Sequence, residues 1–165
     1  MPSVDRAALI ERYAAGPAEL SAALAEVPAA ARTWRPNPGC WSAHEVVLHC
    51  ADSETNAHMR IRYLVAESAP AILGYDQDRW AVTLDYHHLP LEPALATVVA
   101  VRGNTIPLLR RLSHADWART GRHTESGSYS ADTWLGIYSE HLHQHARQIR
   151  RGLEAWQQRG PAAAQ

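Results

Sequence analysis

Four stretches of the chain repeat apolar residues at helical spacing, and none alternates with the period of two that a half-buried strand requires. The clearest stripe, Trp134, Tyr138, Leu142, Ile149, Leu153 and Trp156, predicts a helix from about Ser130 to about Gln158. Ser130, with Asp132 in the first turn, caps its start. A second stripe runs through Val46, His49, Cys50, Ser53, Ala57, Ile61 and Leu64 and predicts a helix ending near Ala66. Its start is marked by the capping box Ser42-Ala43-His44-Glu45, with Trp41 and Val46 as the hydrophobic staple. A third helix begins near Leu91-Glu92-Pro93, where proline suits the first turn, and carries Leu95, Val98, Arg102, Ile106 and Leu109. Gly103 and Pro107 predict a bend within it. The first helix, from about Ser3 to Glu26, places Leu9, Tyr13, Leu20 and Leu24 roughly on one side. Pro17 cannot donate to the carbonyl four residues back, so Gly16-Pro17 predicts a kink.

These elements give an all-α fold, a four-helix bundle with a long loop between helices two and three. Pro28 to Cys40 is a proline-rich connector, and residues 112–129 read as irregular, with one short turn around Ala115-Asp116-Trp117. The loop from Ala69 to Pro90 is too long for a simple turn and reads as a pocket wall or lid. A single domain is expected over 1–160, with a short tail at 161–165.

The stripe of the last helix also carries chemistry. His141 and His145 lie four apart, on or beside the apolar face, so both imidazoles can reach one point. His49, between Val46 and Ser53 on the inner face of the second helix, is the natural third member. Bundles build metal sites from inward side chains on facing helices. Three neutral imidazoles suit Zn²⁺ or Ni²⁺, and three protein ligands leave a position open for a guest. The bland reading of the same residues is three hydrogen-bonded core histidines. His143, about 200° round the helix from His141, is expected to face water.

Other residues carry two readings each. Glu45 is a base or a partner of the site, or simply the third member of the capping box. Gln148 orients a ligand, touches substrate, or lies at a polar bundle edge. Arg102 either snorkels to the bundle edge or clamps a carboxylate at the pocket mouth. Tyr75, Trp80 and Tyr86 pack, or line a pocket. Asp52 and Glu140 read as a solvated face. Cys50 reads as a small buried hydrophobe and Cys40 as inert.

Composition narrows the function classes. Sixteen basic against seventeen acidic residues, a formal net charge of −1 over 165 residues, offer no field for a phosphate backbone, so no nucleic-acid partner is expected. No apolar run approaches a membrane span, and Met1-Pro2-Ser3-Val4-Asp5 lacks a signal peptide's basic and apolar regions. Two cysteines make no disulfide framework, and a cytoplasmic location is expected. Ten histidines agree with metal chemistry.

Three segments in order, Trp41-Ser42-Ala43-His44-Glu45-Val46-Val47-Leu48-His49, Tyr75-Asp76-Gln77-Asp78-Arg79-Trp80 and His141-x-x-x-His145-x-x-Gln148-Ile149, resemble the DinB/YfiT-like superfamily. The resemblance implies an up-down-down-up bundle and a divalent metal, Zn²⁺ or Ni²⁺, held by His49, His141 and His145. It further implies a metal-dependent enzyme acting on a small molecule. Some members are S-transferases that use bacillithiol or mycothiol, one is a mycothiol-dependent maleylpyruvate isomerase, and others are described as metal-dependent hydrolases. The leading expectation is a thiol S-transferase in which the metal activates the thiol, with Arg102 holding an acidic group. The alternatives are a hydrolase using metal-bound hydroxide and a non-catalytic metal-binding stress-response module. Members are often homodimers.

Overall fold

The computed structural model describes residues 5–159. Its helices are α1 (Arg6–Ala25), α2 (Ala43–Ala66), α3 (Gln77–Thr83), α4 (Leu91–Arg111), α5 (His114–Trp117) and α6 (Ala131–Gln158). The starts follow local chemistry. Ser42 Oγ accepts from Glu45 N at 3.2 Å while a Glu45 carboxylate oxygen accepts from Ser42 N at 2.8 Å, closing the capping box of α2. Ser130 caps α6 by accepting from Thr133 N at 3.0 Å.

Side-chain pairings give the helix directions. Arg6 pairs with Asp132, Arg12 with Glu140, and Arg150 with Glu19 and Glu26, so α1 and α6 run parallel. His44 meets Leu89 O just ahead of α4, Glu54 meets Arg102 and His58 meets Thr105, so α2 and α4 are also parallel. Trp134 Nε1 donates to Ala57 O while His141 meets Ser53, so α6 opposes α2. Glu11 with Arg110 and Tyr13 with Arg102 set α1 against α4. The result is the up-down-down-up bundle, α1 and α2 each packing against both α4 and α6. Two parallel neighbours need a connection that returns along the bundle. The 24 residues of α2 span about 36 Å at 1.5 Å each, which is why residues 67–90 are so many.

Two local features add to the expected bundle. Around Gly16-Pro17, α1 continues through Pro17 as one helix. Pro17 leaves the Tyr13 carbonyl without a helical donor, and the Arg102 guanidinium of α4 donates to that carbonyl instead. Gly16 makes room for it: a Cβ there would lie 2.5 Å from Arg102 Nη1 and 3.1 Å from Leu142 Cβ. The all-α bundle stands, with three short strands beside it. β1 (Ala71–Ile72) pairs in parallel with β2 (Thr120–His123), which pairs antiparallel with β3 (Gly127–Ser130), Gly121 opposite Tyr129. Strands of two to four residues are too short to show alternation. The segment 112–129 is therefore α5 plus a hairpin, with Gly127 at φ +80° where the turn meets β3.

The core has two apolar clusters. One gathers Leu20, Leu24, Val46, Val47, Leu142 and Ile149, the other Tyr13, Ile61, Leu64, Trp134, Leu135 and Tyr138. Between them along the helices lies a buried polar layer that includes Ser53, Glu54, Arg102 and Thr105. No helix among the described residues is long and apolar enough to cross a membrane. The expected tail at 161–165 lies outside the described residues.

Candidate metal centre

The antiparallel contact of α2 with α6 brings His49, His141 and His145 together. Ring centroids lie 5.5 Å apart for His49 and His141, 4.8 Å for His49 and His145, and 4.6 Å for His141 and His145. One nitrogen from each can be chosen so that all three fall within 4.8 Å of one another. His145 Nδ1 donates to Gln148 Oε1 at 2.8 Å and His141 Nδ1 to Glu54 Oε1 at 3.1 Å, which leaves each Nε2 lone pair free of its proton. Ser53 Oγ stands 3.3 Å from His141 Nε2. His49 is 2% exposed and its ring packs 4.7 Å from that of Trp41, yet its Nδ1 is buried with no hydrogen-bond partner.

The electrostatics favour neutral rings. Burial, with the two neighbouring imidazoles adding to it, pushes His49 down to about 2. Burial and His141 push His145 down to about 4. Neutral imidazole is the metal-binding form, so no proton need leave these rings near pH 7. A buried orphan nitrogen beside two imidazoles whose other N–H groups are already engaged fits a borderline divalent cation better than it fits a hydrogen-bonded core.

Behind His141 lies a residue that the helical stripes did not single out. Glu54 is fully buried and takes Arg102 Nε at 2.9 Å on one oxygen and Nη2 at 2.7 Å on the other. Arg102 Nη2 also donates to Tyr138 O at 2.8 Å, and the guanidinium lies 3.9 Å over the Tyr13 ring. Burial raises the Glu54 carboxyl, but the Arg102 charge and the hydrogen bonds from His141 and Arg102 outweigh it, and the group is held below the usual carboxylate range. The sequence signal was Arg102 itself, since an arginine on an apolar stripe requires a counter-charge on a facing helix.

The remaining candidates sort plainly. Arg102 neither snorkels nor lines the cavity over the histidines, because Glu54, Tyr13 O and Tyr138 O hold its guanidinium inside the polar layer. Glu45 is 2% exposed and committed to the cap and to Arg35. These hydrogen bonds overcome its burial and lower it to about 2. Gln148 holds His145. Tyr75 stacks on Trp80 at 4.4 Å and also lines the cavity over the histidines, while Trp80 packs against the core. Tyr86 is buried and lines no cavity wall at the site; its hydroxyl donates to Asp52 at 2.5 Å, so Asp52 is not simply solvated. Cys50 is buried and Cys40 exposed. His143 does not face water: it is buried against α1, where Nε2 bonds Arg12 O at 2.9 Å. The parallel packing of α1 on α6 covers that face, which a single-helix reading cannot reveal.

A cavity of about 270 Å³ opens over the centre, with His49 and His141 in its wall beside Ser53, Arg60, Tyr75, His123 and Glu125. Arg60 donates to Tyr138 Oη at 2.9 Å and Leu73 O at 2.5 Å and forms no ion pair among the described residues. His123 Nδ1 accepts from Glu125 N and Ser126 N at 3.2 and 3.4 Å, which puts its proton on Nε2. Trp41 and Gln148, which touch His49 and His145, also line an apolar cavity of about 310 Å³ between residues 27–46 and the C-terminal part of α6.

Comparison with known proteins bears on the family and the fold. The DinB superfamily pattern matches residues 12–149. A protein of Oceanobacillus iheyensis named "Putative metal-dependent hydrolase OB0782" is 40% identical over 111 residues, 67% of this chain and 64% of its own length. A similarly named protein of Geobacillus kaustophilus is 30% identical over 112 residues, 67% of this chain and 63% of its own. The chain thus matches a little under two thirds of the length of these curated relatives. Among solved structures, YfiT from Bacillus subtilis, described as "a probable metal-dependent hydrolase with an unusual four-helix bundle topology", superposes with TM-score 0.86 at 25% identity, covering 95% of this chain and 92% of that one.

Proposed function

The chain belongs to the DinB superfamily, and from that premise we propose that it is a divalent-metal-dependent enzyme, most specifically a thiol S-transferase whose ion is held by His49, His141 and His145. The observation that carries the reading is the convergence of three imidazoles beneath an open cavity, with two of them already oriented by Glu54 and Gln148. Bound there, Zn²⁺ or Ni²⁺ would supply Lewis acidity that favours the thiolate of a small thiol such as bacillithiol or mycothiol, the thiolate being the nucleophilic form.

The chain's own residues supply the rest. Trp41 closes one side of His49 and keeps water from that ring. Arg60 takes the part that the sequence assigned to Arg102: it is the cation in the cavity wall, and it suits an acidic group on either substrate. The His123 Nε2–H and the Tyr75 hydroxyl add neutral donors to the same wall.

A second reading, hydrolysis, is favoured by the names of the relatives. It requires an acid–base group beside the centre. Glu54 and Glu45 are tied into ion pairs, which leaves Glu125 as the carboxylate in the cavity wall for that role. Thiol titration of Co²⁺-loaded protein separates the two readings. An intense thiolate-to-metal charge-transfer band, with transfer activity on an electrophile panel, supports the S-transferase. No band and no transfer, together with ester or amide hydrolysis lost in Glu125→Gln, overturns it in favour of the hydrolase. Stoichiometric metal with neither activity returns the non-catalytic module.

A further inference from the structure

We propose that Glu54, anchored by Arg102, is the positioning residue of the metal centre: it fixes the His141 tautomer and ring orientation, and so ties the one long helix without a ligand histidine at the centre besides α1 to the site. The inference rests on the metal reading above, but not on which reaction follows.

The geometry is a chain of contacts through all four long helices. It begins at the Tyr13 carbonyl on α1, freed by Pro17 and approached through the gap at Gly16. Arg102 on α4 fills that position and grips both oxygens of Glu54 on α2 at 2.9 and 2.7 Å. Glu54 Oε1 then accepts from His141 Nδ1 on α6 at 3.1 Å. Arg102 and Glu54 are 0% exposed. The pair cannot be explained as a solvated surface bridge, and a buried ion pair is weak evidence for stability. A purely structural pair would also have no need to face an imidazole whose other nitrogen points at Ser53 and the remaining histidines.

Two rotamer-flexible groups would leave His141 free to carry its proton on either nitrogen. A carboxylate pinned on both oxygens by a planar fork removes that freedom. It accepts only from Nδ1–H, so the Nε2 lone pair is presented to the ion. It also makes the ring a more basic ligand, the effect that partners of metal-bound histidines generally have. Gln148 serves His145 in the same way with a neutral oxygen. His49 has no such partner on its buried Nδ1, so of the three rings His141 alone is backed by a charge.

The test uses the full chain. In the double variant Glu54→Met/Arg102→Met both charges are replaced by apolar groups of similar length, so folding is checked by circular dichroism before two readouts. The first is the tautomer of His141 in metal-free protein, read from long-range nitrogen–proton spectra of the imidazoles. The second is the Zn²⁺ dissociation constant from chelator competition. We expect wild type to hold one tautomer with Nδ1 protonated and the variant to show a mixture, with Zn²⁺ affinity lower by about 10–100-fold. If the double variant does not fold, Glu54→Gln carries the test: its amide oxygen keeps the tautomer, while the loss of charge still weakens Zn²⁺ binding several-fold. A folded variant with wild-type tautomer and wild-type affinity overturns the assignment to Glu54. Wild-type protein that binds no Zn²⁺ overturns the metal reading itself, a separate outcome.

Discussion

Gly16→Ala offers a test in which the ordinary expectation has the wrong sign. Within a helix, replacing glycine by alanine stabilises by about 1 kcal/mol. Position 16 is well inside α1, with no strained backbone to explain a glycine. Its role is space: the new Cβ would meet Arg102 Nη1 at 2.5 Å, Arg102 Cζ at 3.2 Å and Leu142 Cβ at 3.1 Å. That guanidinium is not a flexible tip, since Glu54, Tyr13 O and Tyr138 O hold it from three sides.

Moving it aside breaks the bond to Tyr13 O. A hydrogen bond to a charged donor contributes about 1.5–3 kcal/mol, and overpacking against Leu142 Cβ costs about 1–3 kcal/mol. Against a helix gain of about 1 kcal/mol, Gly16→Ala should destabilise by roughly 2–4 kcal/mol. With a urea slope of about 2 kcal/mol/M, the unfolding midpoint falls by about 1–2 M. Gly136→Ala on α6, where an added Cβ meets nothing within 4 Å, is the internal control and should raise the midpoint. Equal stabilisation in both variants would refute the seat that Gly16 and Pro17 make for Arg102. A Gly16→Ala protein that is destabilised should also bind Zn²⁺ more weakly, because the shifted guanidinium releases Glu54.

Three further outcomes follow from the same geometry. In metal-free protein His49 and His145 stay neutral to about 2 and 4, below the ~6.5 of the unfolded chain. The unfolded state therefore takes up protons first, so stability is whole above pH ~6.5 and falls as pH drops toward 4, by roughly 3 kcal/mol for His145 alone at about 1.4 kcal/mol per unit. Urea midpoints at pH 7.5 and 4.5 measure the loss, and His145→Ala should flatten it. Zn²⁺ at a hundred times its dissociation constant should stabilise the fold by about 2.7 kcal/mol, a shift absent from His49→Ala in thermal melts. Glu45→Ala should cost about 1 kcal/mol through the lost cap, while its Zn²⁺ affinity in chelator competition stays at the wild-type value, because Glu45 serves α2 and Arg35 rather than the centre.

How much of this the chain declares in advance depends on the range of each interaction. The capping box at Ser42 and Glu45, the stripe of α6 and the i, i+4 pair His141 and His145 are local. They are decided within a few residues by backbone geometry, so they can be read from spacing alone. His49 is legible for the same reason, as a polar interruption of an apolar face. What could not be read is whatever a second helix decides. His143 lies on the face opposite His141 and would be wet on an isolated helix; α1 covers it. Gly16-Pro17 tells of an open carbonyl, but not that Arg102 arrives from α4 to take it. Glu54 lies beside Ser53 at the edge of the inner stripe, one charged residue among many, and only its partner distinguishes it. These three cases have one physical cause. A buried charge or an unpaired carbonyl costs kilocalories unless something distant compensates it. An apparent local error in a sequence, such as an arginine on an apolar stripe or a proline inside a helix, therefore points to its complement elsewhere. Here two such errors, Pro17 and Arg102, compensate each other, and the carboxylate that completes them is the one that orients a histidine at the proposed metal centre.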